Sequence, residues 1–287
     1  MQMLGSQVLF GFQFQGLFQD NFAALPVSGR AADGLAMALM ILVLGLIVAV
    51  PCQHRMVDKG HSTLRIFRVS TRCANYALAP LAAAVACDIY VATVHTAGAT
   101  RSLALALVAF TLALAAWYGL GTAMRYGLNS PRGLAPMQQT PAPLHAKIEQ
   151  LLTEARVILP GAQALLGFQL IVMMTQAFDR LPQAVQAIHV AALLSVVLAV
   201  VLLIAPAAIH RLAFEGRDDA RFLGLGSLII TLALLPLAAS ICCDMWVGLY
   251  KLTGGDAVPA AGAIVTAAIL LGLWFVLPLS LRGAMRQ

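Results

Sequence analysis

The chain has 287 residues, of which 61% are hydrophobic and only 10% charged, with a net charge of +6 and a mean hydropathy of +0.87. Soluble domains carry about 25% charged residues, so there is too little charge here to cover a water-facing surface, and a soluble globular protein is excluded. The basic balance does not indicate nucleic-acid binding, because the cations sit in a few short segments between apolar runs.

Those runs are rich in Leu and Ala and lack strand-type alternation, and helices are what lipid tolerates for runs of about 20 residues. Span 1 covers residues 4–25. It follows almost no charged segment and has an internal copy, so it reads as a span rather than a cleaved signal. A short outer turn with Arg30 and Asp33 leads to span 2, residues 35–52. A basic loop, 53–72, holds Arg55, Lys59, Arg65, Arg68 and Arg72 against Asp58 alone. Spans 3 and 4 follow at 73–94 and 103–124, joined by a turn with His95 and Arg101. After them Pro131, Pro136, Pro141 and Pro143 exclude a continuous helix. Then Leu144, Ile148, Leu151, Leu152 and Ala155 recur at helical spacing. They suggest either a short amphipathic helix on the membrane surface or a plain extension of span 5. Spans 5 to 8 cover 157–178, 187–208, 222–249 and 259–281.

The second half repeats the first. LGSQVLFGFQFQGLFQDNFAALP at residues 4–26 returns as PGAQALLGFQLIVMMTQAFDRLP at 160–182, with a constant offset of 156. The identities include Gly5/Gly161, Gln7/Gln163, Gly11/Gly167, Gln13/Gln169 and Phe22/Phe178, and bulk hydrophobicity does not explain shared glutamines and glycines. The same offset then matches His54/His210, Arg55/Arg211, Arg65/Arg221, Pro80/Pro236, Cys87/Cys243 and Asp88/Asp244. It slips once, at Pro51 and Pro206, which a single-residue insertion explains. The expected fold is therefore all-α: a polytopic bundle of eight transmembrane helices in two parallel four-helix repeats. The first repeat spans 1–124, a cytoplasmic linker with the short amphipathic helix 125–156, and the second repeat 157–287.

Charge sets the expected orientation. With the N-terminus inside, the inner segments 53–72, 124–156, 210–222 and the C-terminus hold 5, 4, 3 and 2 Lys or Arg, which is 14. The outer segments hold only Arg30, Arg101, Arg180 and Lys251. That imbalance follows the positive-inside rule and places both termini in the cytoplasm. An even number of spans per repeat makes the two repeats parallel, about an axis along the membrane normal.

Three sets of residues are candidates for function. Gln7, Gln13 and Gln15, with Gln163 and Gln169 in the second copy, could line a polar path; amides beside small residues also serve simply to bond helices together. Asp88 and Asp244 could bind an ion or proton, or could be hydrogen-bonded acids at headgroup level, near Tyr90 and Trp246. His54–Arg55 and His210–Arg211 close spans 2 and 6 at the inner face. They suit the negative ends of helix dipoles and anionic lipid, or an inner gate. His189 opens span 6 with Gly34 close to its repeat position and no matching imidazole. The five cysteines form no metal-type CxxC pair and read as buried thiols. GLGT at 119–122 and GLGS at 224–227 are too short for phosphate loops. No catalytic motif, metal site or cofactor is expected, and haem ligation is disfavoured because His61, His95 and His145 fall in loops.

The run Glu154-x-Arg156-x-x-Leu159-Pro160-Gly161-x-Gln163, then Phe178, then Ala205-Pro206-x-x-x-His210-Arg211, resembles a bacterial family of small integral-membrane proteins known as domain of unknown function 6328. The resemblance is close over 154–249 and looser over 4–94, as two tandem copies. It implies a bacterial inner-membrane protein and carries no activity. The Glu-x-Arg entry has no counterpart ahead of span 1, so either the first copy lost it or the native start lies upstream of Met1. The expectation is a multi-pass protein, no enzyme, whose partner is the lipid bilayer, with self-association or a membrane partner left open. It would be a small-solute or ion transporter or channel-like protein, or else a non-transporting scaffold or accessory subunit.

Overall fold

The computed structural model describes residues 2–58, 63–119 and 143–284. Among them there is no β-strand, and eight principal helices carry the architecture. They are α1 Gln2–Gly16, α2 Val27–Met56, α3 Leu64–Ala97, α4 Ala99–Leu114, α5 Leu144–Met173, α6 Gln183–Leu212, α7 Ala220–Thr253 and α8 Ala257–Leu271. α4 runs on through a π-helical turn, Ala115–Gly119, and α8 through another, Gly272–Val276, before ending at Leu277–Ala284. Among the described residues, seven helices are long and apolar enough to cross a membrane. At 30 to 34 residues, α2, α3, α6 and α7 reach about 45–50 Å. They exceed a hydrocarbon core of about 30 Å, so their ends extend beyond it or the helices tilt.

The helix bounds follow the repeat. α2 and α6 each have 30 residues and α3 and α7 each have 34, with starts at 27 and 183 and at 64 and 220. Both third helices end on a glycine of positive φ, Gly98 at 79° and Gly254 at 71°. Side chains pay strain in that region, and glycine lets the chain reverse at once into the fourth helix.

Span 1 is shorter than its apolar run. α1 stops at Gly16, and the chain re-enters as a 3-10 turn, Asp20–Ala24, so this helix is not among the seven. Gln15, Gly16, Gln19, Asp20 and Asn21 supply the polar and flexible residues at the break, where Phe18 N–H bonds Gln15 O at 3.0 Å. α5 breaks at the same register: it ends at Met173, and a single turn follows at Gln176–Asp179, capped by Thr175, whose hydroxyl accepts from Phe178 N–H at 3.2 Å. The repeated Phe22 and Phe178 are buried and anchor these turns.

Residues 144–155 are the first turns of α5 and not a separate surface helix. Ile148, Leu151 and Ala155 are buried, and the Leu151 side chain lies against Gly226 of α7, so packing fixes these turns in line with the rest. The basic loop also contracts, because α2 continues to Met56 and α3 begins at Leu64. Within it Asp58 accepts from Arg65 at 2.7 Å and from Thr63 at 2.7 Å, and Arg65 also bonds Gln53 Oε1 at 2.8 Å. Lys59, His61 and the linker prolines 131, 136 and 141 lie outside the described residues.

α1 and α5 meet at the centre, α2 packs on α3, and α6 packs on α7. The fourth helices differ. α8 packs on both α7 and α2, and Trp274 Nε1 donates to Gly45 O at 3.2 Å. α4 packs chiefly on α3, leaving Leu103, Leu107, Val108, Leu112 and Trp117 exposed.

Candidate functional site

α1 ends one turn beyond Gln13, which brings that amide against α3. Gln13 Nε2 lies 3.1 Å from Oδ1 and 3.1 Å from Oδ2 of Asp88. The second copy repeats the contact across the same separation of 75 residues: Gln169 Nε2 donates to Asp244 Oδ2 at 2.6 Å. It also reaches Ser240 Oγ at 2.8 Å. Each copy thus ties its first helix to its third by a glutamine–carboxylate bond inside the bundle.

The surroundings of the two bonds differ. Gln169, Asp244, Ser240 and His189 are all 0% exposed. His189 Nε2 is 3.0 Å from Gln169 O, and Nδ1 is 3.7 Å from Asp244 Oδ1. A carbonyl can only accept, so Nε2 carries a proton. One further proton, on Nδ1 or on Asp244, leaves the pair neutral overall. Phe14 stacks on the ring with centroids 5.6 Å apart, and Phe178 meets it edge-on at 5.2 Å.

In the first copy the position of His189 belongs to Asp33, since 189 − 156 = 33. Gly34 is its neighbour, and the repeat partner of the histidine is an acid. Asp33 is 4% exposed, its Oδ2 has no hydrogen-bond partner, and Asp88 is its charged neighbour. Ser240 is matched by Ala84, so that hydroxyl is missing; Gln13 Oε1 and Gln169 Oε1 alike have no hydrogen-bond partner. Sequence reasoning passed over Asp33 as a turn residue, although the offset alone pointed to it.

The five candidate glutamines do not share one lining. Gln7 is buried at the α1–α5 contact, directly over Gly161. Gln13 and Gln169 hold the two carboxylates, Gln15 is half-buried near the end of α1, and Gln163 is exposed. A groove of about 370 Å³ between α2, α3 and α4 is apolar, walled by Ala32, Ala83, Ala86, Cys87, Leu103 and Phe110 among others. The cysteines are free thiols, with Cys52 buried and the other four half-buried.

At the C-terminal ends of α2 and α6, the two basic pairs also diverge. His54 and Arg55, in the last turn of α2, are buried and turn inward to α5. Glu154 lies 3.3 Å from His54 Nδ1 and 3.5 Å from Arg55 Nη1, and Gln150 Nε2 reaches the imidazole at 3.2 Å. The second copy's Glu-x-Arg motif therefore closes on the first copy's His-Arg pair. His210 instead rests on the Phe222 ring at 4.5 Å, and Arg211 is exposed. Glu154→Gln keeps a hydrogen-bonding group but removes the only carboxylate, among the described residues, in ion-pair contact with Arg55. The expected loss is about 2 kcal/mol, read as a drop of roughly 4–8 °C in thermal midpoint in detergent; an unchanged midpoint would show that the pair is idle.

Long apolar helices, with no strand among the described residues and polar bonds turned into the bundle, define an α-helical membrane protein. The chain belongs to the family of unknown function DUF6328, whose model matches it in two tandem segments, residues 1–121 and 142–278. Comparisons with curated proteins and with solved structures found no match.

Proposed function

We propose that the protein is a small-solute or ion transporter or channel-like protein, without enzymatic activity, built from two parallel four-helix repeats. In this reading α1 is an eighth, short membrane element, and both termini lie on the cytoplasmic side of a bacterial inner membrane, following the positive-inside charge pattern. The observation that carries it is the glutamine–aspartate bond duplicated within the bundle, with buried oxygens left without hydrogen-bond partners at Gln13 and Asp33 in the first copy and at Gln169 and Asp244 in the second. Embedded acids of this kind mark ion and proton pathways. Both first helices break within a turn or so of their glutamine, and discontinuous helices beside embedded polar groups are a recurrent transporter device.

A second reading is a non-transporting scaffold or accessory subunit. It is favoured by the full burial of Gln169 and Asp244 and by the close seat of Gln7 on Gly161. Flux into proteoliposomes at several pH values separates the two, with Asp88→Asn and Asp244→Asn beside the wild type. The transporter reading expects wild-type flux above empty liposomes and at least a tenfold loss in Asp88→Asn. Equal rates in wild type, variants and empty liposomes would favour the scaffold.

A further inference from the structure

The two copies hold the same carboxylate with opposite companions. In the second, Asp244 has an imidazole 3.7 Å away. In the first, Asp88 has Asp33 as its charged neighbour. Among the described residues no Lys, Arg or His lies within ion-pair distance of either acid. Arg30, one turn earlier on α2, makes no such contact. The groups around the pair are otherwise Gln13 from α1 and the Cys87 thiol from α3. α7 brings Leu252 against Gly34 on this part of α2, and α4 brings Leu103 and Ala106 to the neighbouring groove. Exchange of imidazolium for carboxylate makes the first cluster two charges more negative when both acids are ionised. An apolar bundle holds neighbouring carboxylates when they share a positive charge.

A further atom points the same way. Gln13 is 4% exposed and its Nε2 is committed to Asp88; its Oε1 is buried without a partner, as Gln169 Oε1 and Asp244 Oδ1 are in the second copy, so the unpartnered acceptor peculiar to the first copy is that of Asp33. These oxygens can only accept, so the cluster offers acceptors to something that donates a proton or bears positive charge. A divalent metal fits poorly, since no group of three His, Cys, Asp or Glu is arranged to hold one among the described residues.

We propose that Asp33, Asp88 and Gln13 form a binding site for a single monovalent cation, a proton or an alkali ion, and that His189 takes that cation's place in the second copy. The proposal rests on the reading of the embedded carboxylates as an ion site, and it makes the protein a one-site machine with a self-neutralised twin. Charge compensation is external in the first copy and built in in the second.

The test uses the full chain in detergent. One arm titrates Na⁺, Li⁺ and K⁺ at constant ionic strength and follows the thermal midpoint. The other compares pH 8 with pH 5 by infrared spectroscopy of protonated carboxyl groups. The expected result is a saturable response of the wild type in at least one arm. It should weaken at least tenfold in Asp33→Asn and Asp88→Asn, vanish in Asp33→His, and stay within about twofold in Asp244→Asn. Asp33→His places in the first copy the side chain that the fold already accommodates in the second, so it guards against a misfolded asparagine variant. A response in the alkali arm identifies a metal ion, and one in the infrared arm alone identifies a proton. No response in either arm, or a response lost equally in Asp244→Asn and Asp88→Asn, overturns the proposal. Binding without flux would sink the transport reading and leave this site standing. Wild-type flux above empty liposomes with no response in either binding arm would leave transport standing and sink this site.

Discussion

Gln169→Leu is expected to lower the thermal midpoint of the purified protein by about 6–10 °C, a loss of about 3 kcal/mol. Leucine matches glutamine in bulk, so the effect isolates the amide. Gln169 Nε2 serves both Asp244 Oδ2 and Ser240 Oγ, and every one of these side chains is out of contact with solvent. With the amide gone, a buried carboxylate keeps only the imidazole at 3.7 Å. Interhelical hydrogen bonds in bilayers average about 0.6 kcal/mol when the partner can find another bond. The bond here is to a fully buried carboxylate, and that sets the larger figure. Gln163→Leu on the exposed face of the same helix is the control, with a change within about 0.5 kcal/mol. If the two substitutions moved the midpoint alike, the amide–carboxylate bond would not be a brace of the second copy.

Gly161→Val should weaken the seam between the two copies by about 3 kcal/mol. A Cβ at Gly161 would lie 1.4 Å from Gln7 Oε1, 2.2 Å from its Cδ and 2.7 Å from its Cβ. Rotating the end of the Gln7 side chain removes the first two overlaps but not the third, so α1 and α5 must move apart. Gly167→Ala, one and a half turns further along, meets nothing within 4 Å and is expected to be tolerated. Gln7→Gly in the Gly161→Val background should restore at least half of the lost stability, because it removes the atoms that collide. Differential scanning fluorimetry on these three variants and the wild type reads this directly. Failure of the double variant to recover would place the damage elsewhere than at this contact.

Much of the architecture was legible because the repeat is carried by residues other than apolar ones. The matched Gly98 and Gly254 turns and the equal lengths of α2 and α6 lie on the 156-residue offset; the offset also matches Gln13 with Gln169 and Asp88 with Asp244, but that each glutamine bonds the aspartate of its own copy is a finding of the structure. What a hydropathy run does not register is a helix that stops inside it. The apolar stretch continues through Met173 and Met174, but hydrogen bonding changes there, and the same happens after Gly16. Asp33 was missed for a different reason. A search for identities finds what two copies share, whereas Asp33 and His189 occupy one position with opposite chemistry. The inward turn of His54 and Arg55 was also beyond a one-dimensional reading, since it depends on Glu154 from the other copy. A shared residue type likewise conceals that burial sorts the five candidate glutamines into different environments, with Gln163 facing outward.

The bond from Trp274 to Gly45 has a consequence in time. It joins residues 229 positions apart. At a synthesis rate of about 5–20 residues per second, the second helix waits roughly ten to fifty seconds for its partner to be made. Throughout that interval the face of α2 that carries Gly45 lacks Ile269, Leu273 and the indole that later cover it. The nascent first half is therefore an unfinished surface, and this seam closes only once the last helix has been made.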